Sequence, residues 1–391
     1  MRQIINSILD TDLYKLTMQF AVIQMFPNQK VRYQFRDRNN ISYPNGFDIE
    51  LMKEIKLMEN LALTKDEKNY LTKTFPFLPP TYIDFLAGYR FDSDEVKVSL
   101  GENNKLIINI EGYWYRTILW ETCLMSIISE LYFKITDQNV DIYDPILQIN
   151  DLKKLDLMID HNAFFSDFST RRRYSYENEE RICKLFKEHS NHVFVGTSNV
   201  YIAYKLGIKS VGTMGHEFMM VHSALYGYEM SNKIAMESWV SAYQGNLGTM
   251  LPDTLTTDVF LKSFDTKYAR LFDSVRQDSG SAFEFTDKIV NHYKSLGIDP
   301  MSKTIIFSDG LDTKLATEIK EYCVGKIKSS FGIGTNLGND VGVKPLNIVI
   351  KVSEVLVNGN WKSAVKLSDN IGKYTGSLDE INLCKKVLNI N

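Results

Sequence analysis

His216 lies in GTMGHEF (Gly212–Phe218), where an apolar run gives way to a helical pattern. A histidine at a helix start, beside Glu217, suits a general base or a phosphoryl acceptor. Taken alone, a hydrogen-bonded structural histidine is the commoner case. Its company singles it out. FGIGTN (Phe331–Asn336) and FSDG (Phe307–Gly310) place Gly310, Gly332 and Gly334 just past apolar runs, with Asp309 and Thr335 beside them. Glycine lets a backbone approach an anion and present its N–H groups, and a following helix N-terminus favours phosphate. Such glycines also serve as plain turn residues, and GIGTNLG misses the dinucleotide-fold spacing. Arg171, Arg172 and Arg173 follow another apolar run. Their guanidinium forks suit phosphate or pyrophosphate, but three consecutive arginines cannot all face one site. In RQDSG, Arg276 and Asp278 can hold an anion and a ribose hydroxyl, or simply pair with each other on the surface.

The elements that must position these groups are legible from residue 160 onward. FFSDFSTRR, VFVGTSN, SVGTMGHE, TMLPDT, SVRQDSG, IIFSDG and FGIGTN each end a short apolar run and precede a helical stretch. Strand–helix alternation at this density predicts a parallel sheet, and about seven units suggest a (β/α) barrel. In such barrels the chemistry sits on loops at the C-terminal strand ends, where nearly every unusual cluster of this chain falls. That placement alone points to an enzyme.

The first third mixes helix and strand. Asp10 or Thr11 can cap a helix with the apolar face Leu13, Leu16, Phe20 and Ile23, stopped by Pro27 and Asn28. Val31, Tyr33 and Phe35 alternate with polar residues as a half-buried strand, and Thr64 with Glu67 forms a capping box. Leu106, Ile108 and Ile110 make another strand, expected to break at Gly112. Tyr113–Phe133 is apolar but carries Arg116, Glu121 and Glu130, so it reads as a buried helix and not a membrane span. Past Pro345, LNIVIKVSEVL reads as strand followed by a basic tail, expected to leave the barrel and pack on the N-terminal domain. The domains expected are an N-terminal α/β domain, 1–135, joined by 345–391, and a barrel, 136–344.

With 391 residues, 44% hydrophobic and 24% charged, the composition is that of a globular chain. A net charge of -3 leaves no electrostatic footprint for nucleic acid. No signal peptide is visible. Cys123, Cys183, Cys323 and Cys384 are scattered, which argues against zinc and disulfides and suits a reducing cytoplasm. His189 and His192 flank a loop, and His222 is badly spaced from His216 for shared ligation. No protein metal site is expected, so Mg²⁺ would ride mostly on substrate phosphates and water. G-x-S-x-G is absent, and no lysine sits where a Schiff-base aldolase would need it.

TDLYKLTM (Thr11–Met18), FSTRR, GTSNVYIAYKLG, GTMGHE, RQDSG, FSDGLD and FGIGTN resemble, in order, the signature of nicotinate phosphoribosyltransferases of the shorter bacterial and fungal type. The resemblance spans about residues 11 to 336. It implies an irregular (β/α) barrel of type II phosphoribosyltransferases with an α/β N-terminal domain. It also implies a cytoplasmic enzyme of NAD salvage, joining nicotinate to 5-phosphoribosyl 1-pyrophosphate. ATP would act as co-substrate through a phosphohistidine at His216, with Mg²⁺ on the phosphates. Tyr14, from the neighbouring subunit of a homodimer, would stack on nicotinate. Thr213 and Arg276 would contact it, and Arg171 or Arg172 would meet the pyrophosphate. Asp278 would hold ribose hydroxyls, and Asp309, Gly310, Gly332, Gly334 and Thr335 would cradle the 5′-phosphate. Where the family often has Phe-Gly before the paired arginines, this chain has Phe168-Ser169.

The related nicotinamide enzymes carry an Asp after the Gly-Thr that matches Gly196-Thr197. Ser198 stands there instead, uncharged and able to donate to a carboxylate, or simply to cap the next helix. A non-catalytic sensor that binds phosphoribosyl compounds is a rival reading. Quinolinate phosphoribosyltransferase is another, but it would need more basic residues for a second carboxylate.

Overall fold

A computed structural model describes every residue except Met1, Arg2, Asn191, Ile371 and Asn391. The N-terminal third contributes strands β1 (Lys30–Asp37), β2 (Val96–Leu100) and β3 (Leu106–Tyr113). Next come the seven short strands β4 (Phe165–Asp167), β5 (Phe194–Thr197), β6 (Lys209–Ser210), β7 (Thr249–Met250), β8 (Ser274–Gln277), β9 (Thr304–Phe307) and β10 (Lys328–Ile333). They form one parallel sheet in the order β6-β5-β4-β10-β9-β8-β7. Each ends one of the seven apolar runs read from the sequence. The chain is thus α/β, a curled parallel half-barrel beside a separate antiparallel sheet.

The half-barrel is open between β6 and β7 because the chain inserts two helices there, His216–Tyr226 and Ser231–Tyr243. The first helix, Leu13–Met25, bonds to both sides of that opening. Thr17 Oγ1 donates to the Thr213 carbonyl at 2.5 Å, and Tyr243 Oη donates to the Thr17 carbonyl at 2.6 Å. This helix is buried nearly all round, and its N-cap is Asp12 in place of Asp10 or Thr11, with no side-chain capping bond.

Past the half-barrel, β11 (Ile348–Val357) runs antiparallel to β1, and β12 (Asn360–Ser363) folds back on it, completing the order β12-β11-β1-β3-β2. β11 therefore leaves the barrel for the antiparallel sheet, as the alternating pattern suggested. The end of the chain does not stay there. The helix Leu378–Leu388 buries Ile381, Cys384 and Leu388 in a small core with Tyr228, Leu255 and Val259. Those three belong to the barrel half, so the apolar stripe of the tail, more than its charge, decides where it packs.

Two local expectations fail. Gly112 does not break β3, which continues to Tyr113. A Cβ there would lie 2.9 Å from Thr117 Cγ2, so the glycine serves a close approach inside the strand. The apolar stretch from Tyr113 is also not one helix, but a turn of helix, Trp114–Thr117, followed by Trp120–Ile135. The Thr64–Glu67 capping box is present as read. Among the described residues no helix is long and apolar enough to cross a membrane.

Candidate active site

The C-terminal ends of β4, β5, β8, β9 and β10 surround a cleft. Tyr14, Arg171, Arg172, Ser198, Thr213, Arg276, Asp278, Gly310, Gly332, Gly334 and Thr335 all line it. Asp309 is half-buried beside Gly310 but is not in the lining. His216 lies in the adjoining cavity, whose wall shares Tyr14, Arg171, Arg276 and Asp278 with the first.

The three arginines divide by role. Phe168 and Ser169 follow β4, and Ser169 Oγ donates to Asp167 Oδ1 at 2.6 Å, tightening the turn. Ser169 sits at φ −89°, where glycine has no advantage, so this departure from the family pattern costs no backbone freedom. The tightened turn carries Arg171 and Arg172 to the cleft and turns Arg173 away. Arg173 is fully buried in a fork with Asp10, at 2.6 and 2.9 Å, and bonds Glu179 at 3.1 Å. Its role is structural. Gly332 is needed for close approach: a Cβ there would fall 2.3 Å from the Phe168 ring.

Tyr14 reaches the cleft from within the same chain. Leu13 N donates to the Ser198 carbonyl at 2.8 Å, and Asp12 bridges Asn199, which pins the start of the first helix to the end of β5. The resemblance implied a tyrosine supplied by a neighbouring subunit. This chain's Tyr14 lines its own cleft, under the Arg171 guanidinium at 6.0 Å.

Ser198 and Thr213 both line the cleft with their hydroxyls already engaged. Ser198 Oγ donates to Asp12 Oδ1 at 2.6 Å, and Thr213 Oγ1 donates to the Thr249 carbonyl at 3.2 Å. Arg276 is the opposite case. Its Nη2 pairs with Asp278 Oδ1 at 3.1 Å, while its buried Nε has no partner among the described residues. A buried guanidinium donor without an acceptor is costly unless a ligand supplies one.

His216 is the first residue of its helix, after Gly215. Its Nε2 stands 2.8 Å from Asp253 Oδ1 and 2.7 Å from Lys366 Nζ. Lys366 also donates to Asp253 Oδ2 at 2.9 Å, and Ser279 Oγ donates to the same oxygen at 2.7 Å. Nδ1 faces Asp278 Oδ2 at 3.6 Å. Burial pushes His216 below its ordinary pKa, and Lys366 pushes further down against the pull of Asp253. The imidazole is thus neutral near pH 7. Burial alone would raise Asp253, but His216 and Lys366 hold it well below the usual carboxylate range. A neutral imidazole oriented by a fixed carboxylate, at a helix N-terminus, is a competent phosphoryl acceptor.

Cations crowd the same face. Burial and the charges of Arg171 and Arg38 push Arg172 down to about 10. Burial, Lys366 and Arg38 push Lys351, on β11, down to about 8. Such mutual repulsion in a closed space is relieved by a polyanion. Among the described residues no group of three or more His, Cys, Asp or Glu could hold a metal ion. Asp278, held below the usual carboxylate range by Arg276 and His216 despite its burial, is the carboxylate best placed to meet a cation carried on phosphates.

Sequence reasoning missed Asp12, Asp253 and Lys366. Asp12 and Asp253 stand in runs that were singled out, TDLYKLTM and TMLPDT, and strand-end acids beside them were the available signal. Lys366 lies beyond the barrel, and nothing in its neighbours announces a return to His216.

Residues 164–391 match the model of the Nicotinate phosphoribosyltransferase (NAPRTase) family, and residues 9–129 match that of its N-terminal domain. The nicotinate phosphoribosyltransferase of Desulforapulum autotrophicum is 48% identical over 386 residues, 98% of this chain and 99% of that protein. That of Chromohalobacter salexigens is 44% identical over 385 residues, 98% of each. The crystal structure of nicotinate phosphoribosyltransferase from Porphyromonas gingivalis superposes with a TM-score of 0.97 at 46% identity, covering 99% of this chain and 100% of that one. A putative nicotinate phosphoribosyltransferase from Saccharomyces cerevisiae superposes at 0.93 with 35% identity, covering 100% of both.

Proposed function

The chain belongs to the nicotinate phosphoribosyltransferase family, and from that premise we propose that it joins nicotinate to 5-phosphoribosyl 1-pyrophosphate in NAD salvage, coupled to ATP through His216. The products are nicotinate mononucleotide and pyrophosphate. The observation that carries the reading is the unpartnered Nε of Arg276, in a cleft that the glycine-rich corners after β9 and β10 also line. Arg276 Nε offers a donor to a carboxylate, and the glycine corners after β9 and β10 offer backbone N–H groups to a phosphate.

In the transfer step the pyridine nitrogen attacks the anomeric carbon and the bond to pyrophosphate oxygen breaks. Nicotinate brings its own nucleophile, so no strong base is required. Tyr14 stacks on the ring, Arg276 takes the carboxylate, and Asp278 meets the ribose hydroxyls. Asp309, Gly310, Gly332, Gly334 and Thr335 hold the 5′-phosphate end. Arg171 and Arg172 stabilise charge on the departing pyrophosphate, which is where fixed cations act most strongly. Mg²⁺ carried on the polyphosphates supplies further charge neutralisation.

In the coupling step His216 attacks the γ-phosphorus of ATP through Nδ1, and ADP leaves. Later hydrolysis of the phosphohistidine returns the imidazole and releases phosphate. Asp253 orients the ring from its Nε2 side, and the crowded cations Arg172 and Lys351 accept the polyphosphate. The setting proposed is the cytoplasm, consistent with four buried, free cysteines. The assembly proposed is a homodimer, which sedimentation checks. The activity is tested by incubating enzyme, 5-phosphoribosyl 1-pyrophosphate and Mg²⁺ with nicotinate and separating the mononucleotide by chromatography. Tight binding of both substrates without product would leave a sensor in place of an enzyme.

A further inference from the structure

Ser198 has one hydroxyl proton, and Asp12 takes it. The contact is 2.6 Å, Asp12 is 3% exposed, and both residues line the cleft. While Asp12 is a carboxylate, Ser198 presents only lone pairs to the ligand. That arrangement suits an amide N–H₂ and repels a carboxylate. With Asp12 ionised, the pocket is therefore set against nicotinate at Ser198.

Protonating Asp12 reverses the polarity of both groups. A neutral Asp12 donates to Ser198 Oγ, the hydroxyl turns, and its proton becomes available to the ligand carboxylate. We propose that Asp12 is a specificity-determining residue that takes up one proton as nicotinate binds and passes its hydrogen-bond direction through Ser198 to the substrate. The step balances: one proton leaves solvent for Asp12, no covalent bond to the ligand forms, and the proton returns to solvent on product release. The inference rests on the nicotinate reading above.

The surroundings support it. On its own helix Asp12 has Tyr14 and the cation Lys15, but Lys15 is bonded to Glu121 and Glu217. The turn after β4 offers Arg171, whose Nε is 3.7 Å from Asp12 Oδ2 but whose Nη1 leans toward Glu121 at 3.5 Å. The helix Trp120–Ile135 contributes the charge of Glu121, and the same cleft holds Arg276 paired with Asp278. Burial raises Asp12 above the usual carboxylate range and Glu121 adds to it. Arg171, Ser198 and Thr170 pull the other way without prevailing. An arriving carboxylate adds a further negative charge and favours the proton more.

The test is the pH dependence of transfer measured without ATP, so that His216 phosphorylation takes no part, with saturating 5-phosphoribosyl 1-pyrophosphate and Mg²⁺. Between pH 6 and 8.5 the wild-type KM for nicotinate is expected to rise by up to tenfold per pH unit, as loss of one required proton dictates, while kcat keeps its own profile. In Asp12→Asn the rise in KM disappears and the kcat profile stays. Ser198→Ala, which cuts the connection, is expected to raise KM and also to flatten it. A wild-type KM that stays flat across this range overturns the proposal without any variant. So does a slope that persists in folded Asp12→Asn or in Ser198→Ala. If no mononucleotide forms from nicotinate with or without ATP, the failure lies in the nicotinate reading itself.

Discussion

His216 Nε2 and Asp253 Oδ1 are 2.8 Å apart, a contact that orients the imidazole together with Lys366 Nζ at 2.7 Å. Asp253 is in turn held by Lys366 and Ser279, so the ring is oriented from behind and Nδ1 looks toward the cleft. His216→Ala is expected to abolish ATP stimulation while leaving basal transfer. Asp253→Asn is expected to lower the ATP-dependent rate by about 100-fold, because an amide can hold the wrong tautomer. Rates with and without ATP in each variant decide it. If ATP still lowers the KM for nicotinate in His216→Ala, the phosphohistidine role is wrong.

The lowered pKa of His216 has a signed consequence. The imidazole stays neutral, and thus nucleophilic, below the ordinary histidine value of about 6.5. ATP stimulation should persist as pH falls through that value and be lost only at lower pH. An inflection at or above 6.5 in the ATP-dependent component would contradict the buried, neutral setting.

A charge at position 198 should be resisted by the substrate. Ser198→Asp places a second carboxylate beside Asp12, whose Oδ1 lies 2.6 Å from the Ser198 hydroxyl, in the cleft lining. A like-charge clash of several kcal/mol corresponds to a loss of about 100-fold or more in kcat/KM for nicotinate. Unchanged nicotinate kinetics in this variant would remove Ser198 from the specificity argument.

Lys15 is fully buried between Glu121 and Glu217, and Glu217 also accepts from Trp114 Nε1 at 2.6 Å. Removing the cation strands two buried carboxylates. Lys15→Met should lower the unfolding free energy by about 3–5 kcal/mol, read as a shift in the urea midpoint. A midpoint within error of wild type would mean that water or relaxation compensates.

His222 is buried against the Phe218 carbonyl, and burial lowers it to about 4. The unfolded chain binds this proton near pH 6.5 and the folded chain does not. Stability is therefore intact above 6.5 and falls as pH drops from 6.5 toward 4. The full span is worth about 3 kcal/mol at ~1.4 kcal/mol per unit. His222→Gln should reduce the slope of unfolding free energy between pH 5 and 6.5, and an unchanged slope would assign it to other groups.

Much of this was legible because periodicity and turn chemistry act locally. The seven apolar runs became the seven parallel strands, and their corners became the cleft, because a βα corner must expose its loop at one end of the sheet. What escaped was non-local. Arg173 resembles its two neighbours in sequence, yet Asp10, 163 residues away, takes it into the core. Lys366 reaches His216 across 150 residues through a tail that β11 and β12 first carry elsewhere. Gly112 looked like a strand end and instead admits Thr117. Ser198 reads as a carboxylate donor or a helix cap, but in the fold Asn199 is the cap and Asp12 takes the Ser198 proton.

The most direct test of the account is product formation with nicotinate and nicotinamide side by side, each with 5-phosphoribosyl 1-pyrophosphate and Mg²⁺, with and without ATP. Nicotinate mononucleotide is expected in the absence of ATP, more of it with ATP, and far less product from nicotinamide in both cases. Equal or greater turnover of nicotinamide, or no mononucleotide from nicotinate under either condition, would contradict it.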